Sequence, residues 1–562
     1  MKDILLPFVL KNSLEHDGKA SFGSIMGKAM TLFPDLKKNP EDAARMVKEL
    51  VNKVNSMTID QQMSMYSNVG KPVAIKRRRR EGLPDLEDAE QGKVIMRFAP
   101  GPSGPLHIGH TRAAVLNDLY CKRYDGRFIL RLEDTNPDRI ELEAYDMIQE
   151  DLEWLGVKVD DVFIQSDRFD IYYKVVEELI KRGHAYICTM DPEQWRQLKA
   201  ESVACPERDM PPNHHMEGWA NMLDGTLAPG EASLVVKTDL EHKNPAVRDF
   251  VGMRINETPH PLTGNRYRVY PLYNLSVSID DHLMGCTHIL RGKDHLNNTY
   301  RQEYVYKHMG WELPHFIHYG LVSIPDTILK TSLIKEEISR GNYEGWDDVR
   351  TGTLRALCSR GIQADALRRY WKEAGMKSVD IIFSWDNLYA MNREIIEKDA
   401  KRYFFVPDPI KVIITGIEEL HTKIPLFPDE PERGKREFRL NKDGKGIELF
   451  VPMEELHEPP SGSILRLKDL CNVTLKEGND EELEYAGQDI SEVRKEGGRI
   501  IQWLPPGSEP CRVLLPNGSE VRGLVEKEVR NEAEKGSIVQ FERVGFFKMS
   551  LDGGIVGRFT HK

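Results

Sequence analysis

The sequence contains little cysteine and has no long apolar run. Its seven cysteines are scattered over 562 residues and odd in number, which is typical of a reducing compartment and does not indicate a disulfide framework. No stretch approaches the roughly 20 apolar residues of a membrane span. The first residues, Met1–Pro7, have too short an apolar part for a signal peptide. The sequence therefore predicts a cytoplasmic protein with no membrane association.

An excess of positive charge is also absent. The 78 Lys and Arg residues are outnumbered by 89 Asp and Glu residues, and the net charge is −11. This balance excludes general affinity for nucleic acid, so any RNA binding must use a local basic surface. A length of 562 residues with 40% hydrophobic and 30% charged residues predicts a globular chain of several domains.

The most informative segment that is present runs from Arg97 to His110, in the sequence RFAPGPSGPLHIGH. The apolar run Val94–Phe98 predicts a strand, the Pro- and Gly-rich residues a tight turn, and the pattern from Thr111 a helix. A strand, a turn and a helix start in this order present backbone N–H groups to phosphates.

Two histidines of this segment, His107 and His110, are predicted to lie on one face of the first helical turn. One interpretation is a buried turn without a ligand. A second is a metal-binding pair, but no Cys, Asp or Glu stands close by to complete a metal shell. The third interpretation, which the preceding turn favours, is a nucleotide site.

Strands and helices alternate between Lys93 and Cys188, with further strands predicted at Arg127–Leu132 and Val162–Ile164. This alternation predicts a parallel sheet with crossover helices, a doubly wound nucleotide-binding core. Glu133 follows the second strand, at the carboxyl edge where ligands bind in such sheets, and a carboxylate there would hold a cationic group. A capping role in the turn that follows is the alternative.

The rest of the chain predicts other architectures. Residues 1 to about 70 carry helical signals, including a helix that begins at Pro40, and the basic run Lys76–Arg80 predicts a linker that is either solvated or in contact with RNA or a partner. Strand signals return in 267–285. From Tyr403 onward, short β runs separated by Pro and Gly predict one or two β-barrels.

The segment from Arg97 to Arg112 resembles the "HIGH" signature of class I aminoacyl-tRNA synthetases, in the form found in the glutamyl/glutaminyl subgroup. The segment 328–335 resembles the second signature of the class, the "KMSKS" loop, imperfectly. Lys330 and Ser332 match, whereas Leu333 stands in place of the second family lysine. The resemblance spans roughly 93 to 562, and the all-β tail is similar to that of the archaeal and eukaryotic-cytosolic glutamyl enzymes.

The resemblance implies an α/β Rossmann-like class I synthetase core with an N-terminal helical extension, an inserted acceptor-binding region, a helical stem region and C-terminal β-barrels that bind the anticodon. The predicted boundaries are 1–90 for the appendage and basic linker, 91–187 and 266–340 for the two core halves, 188–265 for the insertion, 341–402 for the stem and 403–562 for the barrels.

The resemblance also implies site residues. Catalysis is expected of His107, His110 and Lys330, with Lys335 as the alternative lysine. The residues expected to bind ATP, as its Mg²⁺ complex, are Pro100, Gly104, His107, Gly109, His110, Lys330 and Ser332. The residues expected to bind the amino acid are Arg97, Ala99, Glu133, Tyr273 and Arg291.

Arg291 indicates which amino acid is used. A guanidinium binds a carboxylate through two charge-assisted hydrogen bonds, whereas a neutral amide offers it no charge. Glutamate is therefore the expected substrate and tRNA(Glu) the expected acceptor; the sequence leaves open whether tRNA(Gln) is charged as well. A glutaminyl enzyme and a non-catalytic tRNA-binding scaffold are the alternatives, and the N-terminal helices are a candidate site for a protein partner.

Relatives with this type of insertion carry paired Cys-x-Cys motifs that bind zinc. Here the corresponding positions hold Cys188 with Met190 and Cys205 with Glu207, so two of four thiolates are replaced. Met and Glu in these places weaken a structural zinc site. We expect no structural zinc, although the nearby histidines offer substitute ligands: His184, His214 and His215.

Overall fold

The computed structural model describes residues 2–14, 16, 18–33, 40–69, 82–460, 462–476 and 481–562. The chain divides into two compact units, Met1–Glu81 and Gly82–Lys562. The predicted basic linker Lys76–Arg80 lies outside the described residues. In the described part of the chain, no helix has both the length and the apolar character needed to span a bilayer.

The smaller unit is helical, as predicted. Its helices are α1 (Lys2–Leu14), α2 (Phe22–Leu32), α3 (Pro40–Asn55) and α4 (Ile59–Val69). Val47 and Val54 of α3 are fully buried against Leu5 and Val9 of α1 and Ile25 of α2, which gives this unit a core of its own. The unit ends at Glu81, so that the last residues of the predicted 1–90 appendage belong to the larger unit, where Leu86 joins the core.

The larger unit begins with alternating strands and helices. They are β1 (Ile95–Phe98), α5 (Ile108–Arg123), β2 (Arg127–Leu132), α6 (Glu143–Trp154), β3 (Asp161–Ile164) and α7 (Phe169–Lys181). β1, β2 and β3 pair in parallel, with Arg97 opposite Ile129 and Leu130 opposite Val162. Parallel pairing with crossover helices is the predicted arrangement.

A four-stranded antiparallel sheet interrupts this core. Its region contains β4 (Ala185–Cys188), α8 (Pro192–Ala200), α9 (Pro212–Asp224), β5 (Ser233–Val236), β6 (Phe250–Ile255) and β7 (Val269–Pro271). The strands pair in chain order, β4 to β7. The sheet starts before and ends after the predicted insertion 188–265, because β4 and β7 belong to it and not to the parallel core.

The second half of the core contains α10 (Tyr273–Leu283), β8 (His288–Gly292), α11 (Leu296–Met309) and β9 (His315–Tyr319). β8 and β9 are parallel. The backbone N–H of Thr287 donates to the carbonyl of Ile95 at 2.9 Å, which places β8 beside β1. The resulting strand order, β3-β2-β1-β8-β9, reverses at β1, and ligands bind at such a reversal in open α/β sheets.

The strand signals predicted in 267–285 correspond to a strand only at β7 (Val269–Pro271), because the residues from Tyr273 to Leu283 are helical. The segment is helix α10, buried on all sides from Asn274 to Asp281. The hydroxyl of Ser278 donates to the carbonyl of Asn274 at 2.7 Å, so the serine is satisfied within the helix. A helix with no solvent face has no 3.6-residue pattern to reveal it.

The predicted core half 266–340 continues with β10 (Val322–Ser323) and α12 (Thr331–Ser339), and the stem region follows with α13 (Leu354–Ser359), α14 (Ala364–Ala374), β11 (Ile381–Ile382) and α15 (Trp385–Ile396). Trp371 of α14 is fully buried, and its Nε1 donates to Oγ1 of Thr111 in α5 at 2.6 Å. The stem therefore packs directly on the helix that starts at the two histidines.

The tail is rich in strands, as predicted. It contains β12 (Lys401–Tyr403), β13 (Phe405–Pro407), β14 (Pro409–Thr415), β15 (Glu419–Pro425), β16 (Lys435–Asn441), β17 (Ile447–Pro452), α16 (Met453–His457), β18 (Ile464–Leu467), β19 (Cys471–Leu475), β20 (Glu482–Tyr485), α17 (Ile490–Lys495), β21 (Arg499–Ile501), β22 (Glu509–Leu514), β23 (Glu520–Val525), α18 (Val529–Lys535), β24 (Ile538–Phe541), β25 (Gly545–Leu551) and β26 (Ile555–His561).

Two large sheets form this tail. One has six strands in the order β17-β14-β20-β19-β18-β21, and the other seven in the order β12-β24-β25-β26-β22-β23-β13. The two edge strands of the second sheet, β12 and β13, are separated in the chain by Phe404 alone. The sheet must therefore curl until its edges meet, which is the barrel form that the sequence predicts.

Candidate functional site

The predicted phosphate-binding turn has a specific cap. Helix α5 begins at Ile108, earlier than the predicted start at Thr111, because His107 is its N-cap. The backbone N–H of Gly109 donates to Nδ1 of His107 at 3.1 Å, and the N–H of His107 donates to Nδ1 of His110 at 3.3 Å. Histidine is not among the usual N-cap residues, so the pattern alone did not locate the helix start.

These hydrogen bonds determine where the two rings carry their protons. Because both Nδ1 atoms accept a backbone N–H, each neutral ring bears its hydrogen on Nε2 and can donate it outward. Burial lowers the pKa of His107 to about 4. Burial, together with the proximity of His107, lowers the pKa of His110 to about 3. Both rings are therefore neutral hydrogen-bond donors at physiological pH.

The turn before the histidines lies against the second signature segment. Gly104 has a φ of +145°, which disfavours any residue with a side chain, and a Cβ there would lie 3.2 Å from Cγ2 of Thr331 and from the ring of Trp346. The N–H of Ile108 donates to the carbonyl of Gly352, whose own N–H donates to the carbonyl of Ile328. The two signatures are thus joined by backbone hydrogen bonds.

A cavity of about 480 Å³ opens beside this turn. Of the predicted site residues, those that line it are Arg97, Ala99, His107, Gly109, His110, Glu133, Tyr273 and Arg291. Predicted nucleotide and amino-acid residues from β1, α5, β2, α10 and β8 therefore meet in one space. Sequence reasoning did not assign other residues that line it, among them Arg112, Asn117, Asp294, His295 and Tyr319.

The remaining predicted residues lie just outside this cavity. The carbonyl of Pro100 accepts the N–H of Glu133 at 2.9 Å and so joins the ends of β1 and β2. Lys330 is the exposed N-cap of α12, next to Leu329, which does line the cavity. Ser332 is exposed on the first turn of α12.

The two candidate lysines differ in their partners. Lys335 forms an ion pair with Glu141. Among the described residues, Lys330 has no ion pair or side-chain hydrogen bond, so its ammonium group is available to a ligand. This difference favours Lys330 as the lysine that contacts phosphates.

Four buried charges connect the floor of the cavity. Arg97 donates from Nε to Oδ1 of Asp281 at 2.9 Å, and Arg131 donates from Nη1 to the same oxygen at 2.6 Å. Arg131 also donates from Nη2 to Oε1 of Glu133 at 3.0 Å. Burial alone would raise the pKa of Asp281, but the two guanidinium groups lower it to about 2.

Sequence analysis did not assign Arg131 or Asp281 a role. A signal was present, because Arg131 is a charged residue inside the apolar strand Phe-Ile-Leu-Arg-Leu, and a buried charge requires a partner. The sequence does not show that this partner is Asp281 on a distant helix.

Arg291 is a buried cation without a counterion. Its residue is 4% exposed, and its Nη1 and Nη2 donate to neutral oxygens, Oε1 of Gln302 at 2.9 Å and Oγ1 of Thr299 at 2.6 Å. In the described part of the chain no carboxylate forms an ion pair with it. Burial lowers the pKa of Arg291, and a buried charge of this kind is costly unless an anion balances it.

Two aromatic rings lie at this part of the site, namely Tyr273, which lines the cavity, and Phe316, which packs against Arg291. The hydroxyl of Tyr273, the first residue of α10, lies 3.2 Å from Nδ1 of His295. The guanidinium carbon of Arg291 lies 4.7 Å from the ring centre of Phe316, a cation–π contact that fixes its orientation. Tyr273 therefore lines the cavity from a helix start, and not from a sheet.

The predicted weak zinc candidates do lie together. Sγ of Cys188 is 3.5 Å from Sγ of Cys205, which lies 2.7 Å from Oε2 of Glu207. These three side chains form the one group of possible metal ligands that meets within 4.8 Å among the described residues. His184, His214 and His215, expected as substitutes, do not join it. Three donors without a fourth do not complete the tetrahedral set of a structural zinc site.

Known families match almost the whole of the larger unit. A profile described as "tRNA synthetases class I (E and Q), catalytic domain" matches residues 93–398. Two described as "tRNA synthetases class I (E and Q), anti-codon binding domain" match residues 400–488 and 500–550. The first contains every residue of the cavity, and the other two contain most strands of the six- and seven-stranded sheets, with β26 beyond their end.

Full-length relatives agree with these profiles. The chain is 45% identical to the glutamate--tRNA ligase of Methanocaldococcus jannaschii and to that of Methanothermobacter marburgensis, and 43% identical to that of Pyrococcus furiosus. In each case the similarity covers 100% of this chain and 100% of the relative. The chain therefore belongs to the glutamate- and glutamine-specific (E and Q) family of class I tRNA synthetases.

Proposed function

We propose that this enzyme ligates L-glutamate to tRNA(Glu) at the expense of ATP. The α-carboxylate of glutamate attacks the α-phosphate of ATP, which gives glutamyl-adenylate and releases pyrophosphate. The terminal ribose hydroxyl of the tRNA then takes the glutamyl group and releases AMP. Neither step needs a protein nucleophile, so catalysis consists of positioning and charge stabilisation.

The single observation that carries the choice of glutamate is the uncompensated guanidinium of Arg291. A γ-carboxylate placed against it would supply the missing negative charge through a bidentate, charge-assisted pair. The γ-amide of glutamine would leave the buried charge unbalanced and bring N–H donors that this guanidinium cannot accept. Discrimination against a ligand that leaves buried polar groups unpaired is strong in general.

The other end of glutamate fits the charges at the floor of the cavity. Glu133 offers a carboxylate to the α-ammonium group. Arg97 uses Nε and Nη2 on Asp281, and its Nη1, which has no hydrogen-bond partner among the described residues, is available to the α-carboxylate. Ala99, at the end of β1, is a candidate for backbone contact with the ligand.

The nucleotide is proposed to bind at the turn around His107 and His110. Their Nε2–H groups and the backbone at the start of α5 would stabilise negative charge on the phosphates, with Gly104 and Gly109 allowing close approach. Lys330 would contact the pyrophosphate side, and Pro100 and Ser332 complete the predicted set. Mg²⁺ would enter as part of the ATP complex, because the described residues at the cavity include no cluster of three metal ligands.

The tRNA is proposed to contact the barrels with its anticodon. A second cavity, of about 620 Å³, lies in the tail and is lined by four cationic side chains and two carboxylates beside Ile490 and Ile500. The cations are Arg466, Lys468, Arg499 and Arg543, and the carboxylates are Glu455 and Asp469. The cations outnumber the carboxylates, and a locally cationic surface is what RNA binding requires of a chain with net charge −11.

A charging assay tests this function. Purified tRNA(Glu) should accept labelled glutamate and not labelled glutamine, and the product should require ATP. Charging with glutamine in preference to glutamate would instead support the glutaminyl activity, and no charging at all would support a non-catalytic scaffold. Parallel assays on tRNA(Gln) decide whether that acceptor is also used.

A further inference from the structure

We propose that Arg131 and Asp281 are positioning residues for the amino-acid substrate: they join Arg97 to Glu133 and hold the latter in its anionic, binding-competent form. This inference rests on the proposed function, in which Arg97 and Glu133 bind the two ends of the substrate's α-amino acid group. Neither Arg131 nor Asp281 lines the cavity, so each would act through its neighbour.

The geometry forms a continuous chain of contacts. Oδ1 of Asp281 accepts hydrogen bonds from both Arg97 and Arg131, and Oδ2 of Asp281 lies 3.4 Å from Nη2 of Arg97. Arg131 then reaches Glu133 with Nη2 at 3.0 Å and Nε at 3.3 Å. Arg131 is 0% exposed and Asp281 1% exposed, so water does not screen these contacts.

The charges alternate along this chain, and the ligand extends the alternation. Arg97 and Arg131 are cations, Asp281 and Glu133 anions, and a bound zwitterion would add a carboxylate at Arg97 and an ammonium at Glu133. Removing one of these four side chains would change the protonation or the orientation of the side chain next to it. The floor of the site is therefore one unit that presents a cation and an anion at a fixed separation.

The groups that act on Glu133 come from three elements. Arg131 and Arg97, from β2 and β1, favour its ionised form, whereas Asp281, from α10, disfavours it, and Glu133 in turn raises the pKa of Tyr273 on the same helix. Burial raises the pKa of Glu133, and Arg131 is the strongest of the influences that lower it. Without Arg131, protonation of this carboxyl would move toward neutral pH, and a neutral acid does not balance an ammonium group.

The neighbouring residue of α10 shows why a purely structural role does not account for Arg131. Asp280 accepts Nε of Arg168 at 2.7 Å, the hydroxyl of Tyr172 at 2.7 Å and Nε2 of Gln165 at 2.8 Å. This set holds α10 against the turn 165–168 and helix α7, whereas Nε of Arg131 lies 3.9 Å from Oδ2 of Asp280, too far for a hydrogen bond. Arg168 is thus a matched control, since it is a half-buried arginine paired with an aspartate of the same helix and does not touch Glu133 or Arg97.

The test measures steady-state charging of tRNA(Glu) with glutamate between pH 6 and 8.5. Arg131→Gln should raise the KM for glutamate by about 10- to 100-fold at pH 7, the size expected for loss of a charged hydrogen bond, with the KM for ATP within about threefold of normal. The sign of the pH effect follows from Glu133: its protonated form predominates at low pH, so the KM of Arg131→Gln should fall as pH rises. At pH 6 it should approach the KM of Glu133→Gln.

Asp281→Asn separates the two parts of the proposal. It removes the negative charge that holds Arg97, although an amide oxygen remains, and leaves Arg131 on Glu133, so the KM for glutamate should rise with no pH trend in this window. Arg168→Gln should leave the KM for glutamate and its pH profile unchanged. Thermal unfolding of each variant shows independently whether it folds. If Arg131→Gln does not fold, Arg131→Lys takes its place: it keeps the charge, so its KM for glutamate should lie between that of the unaltered enzyme and that of Glu133→Gln.

The results have distinct meanings. A folded Arg131→Gln protein whose glutamate KM rises less than about threefold, or rises equally at every pH, would overturn the positioning role. An effect of equal size in Arg168→Gln would show that the effect of Arg131→Gln on the KM for glutamate comes from general packing, and would also overturn the positioning role. Failure of the proposed function itself would appear as absence of glutamate charging by the unaltered enzyme, before any variant is compared.

Discussion

The rings of His107 and His110 stack with their centroids 3.7 Å apart and an interplanar angle of 21°, and each accepts a backbone N–H through Nδ1. The stack disfavours a pair of charged rings, because two imidazolium ions at this distance would repel each other, which agrees with the lowered pKa values of both histidines. It also directs both Nε2–H groups away from the helix backbone. The cap of α5 and the proposed phosphate contacts therefore use opposite atoms of the same two rings.

Replacing one of these rings should stop adenylate formation. We expect His110→Ala to lower ATP–pyrophosphate exchange, measured with tRNA present, by about 10²- to 10³-fold or more, because a donor aimed at the transition state is lost. Glutamate binding should be largely kept. His184→Ala, which removes a stacked histidine outside the cavity, is the control. Near-normal exchange by His110→Ala would contradict the assignment.

Alanine variants of the two lysines of the second signature should differ in their kcat for charging. Lys330→Ala is expected to lower kcat for charging by about 10²-fold, since its ammonium has no other partner among the described residues. Lys335→Ala breaks an exposed ion pair with Glu141 and should change kcat by less than about threefold, because such pairs contribute little. The reverse order of effects would assign the phosphates to Lys335.

Arg291 should lower the stability of the free enzyme and be essential for the use of glutamate as substrate. We expect Arg291→Met to lower kcat/KM for glutamate by about 10²- to 10³-fold, the loss typical of one partner of a buried charge pair. The midpoint of thermal unfolding should not fall, because an unbalanced buried cation is removed. Thr299 and Gln302 keep other partners, His318 at 2.8 Å and Asn274 at 3.3 Å.

Lys293→Met is the matched control for that variant, since Lys293 is a nearby cation with an exposed partner, Asp380. It should leave both kcat/KM and thermal stability near those of the unaltered enzyme. A large loss of stability in Arg291→Met alone would show that its guanidinium serves the fold and not the ligand.

The two neutral histidines also predict how stability depends on pH. Their folded-state pKa values, about 4 and about 3, lie below the ordinary value, so the unfolded chain binds more protons as pH falls below about 6.5. The stability they contribute is complete above that pH and is lost progressively toward pH 4. The double variant His107→Gln/His110→Gln should therefore lose less thermal stability between pH 7 and pH 5 than the unaltered enzyme. An equal or greater loss in the double variant would show that the histidines are charged in the folded state.

The cysteine pair of the inserted region should not depend on metal. Three donor side chains lack a fourth, so we expect less than about 0.2 mol of zinc per mol of purified protein and no loss of charging after chelation. Cys188→Ser should retain activity within about threefold. Stoichiometric zinc, or unfolding of β4 and its neighbours on chelation, would show that another group completes the site.

The sequence was most informative where several candidate site residues lie in one contiguous segment. The turn from Arg97 to His110 combines a strand, glycines and two histidines in order, so local rules and the resemblance to a family agree on it. Position within a strand likewise located Glu133 at the correct edge of the sheet. Such features need no knowledge of distant contacts.

What the sequence did not predict depends on tertiary partners. The role proposed for Asp281 depends on the position of α10 beside β1 and β2, and the strand signals of 267–285 did not indicate this helix, in which Asn274 to Asp281 are all buried. The choice between Lys330 and Lys335 depends on Glu141, far away in the chain. The neutral state of the histidines follows from burial and from their place at a helix start, neither of which a pattern of residue types contains.

The edge strands of the seven-stranded sheet, β12 and β13, have a consequence for synthesis. β12 pairs with β24, with Lys401 opposite Val539, and β13 pairs with β23, with Phe405 opposite Val525. Neither edge strand can pair before its partner strand has been synthesised. The six-stranded sheet lies wholly between these partners in the chain and can form first as the polypeptide emerges. Loop closure over such separations is slow, so closure of this sheet should occur only after β23 and β24 have been synthesised. A nascent chain that stops before β24 would expose the edge of β12 and become a substrate for chaperones or for aggregation.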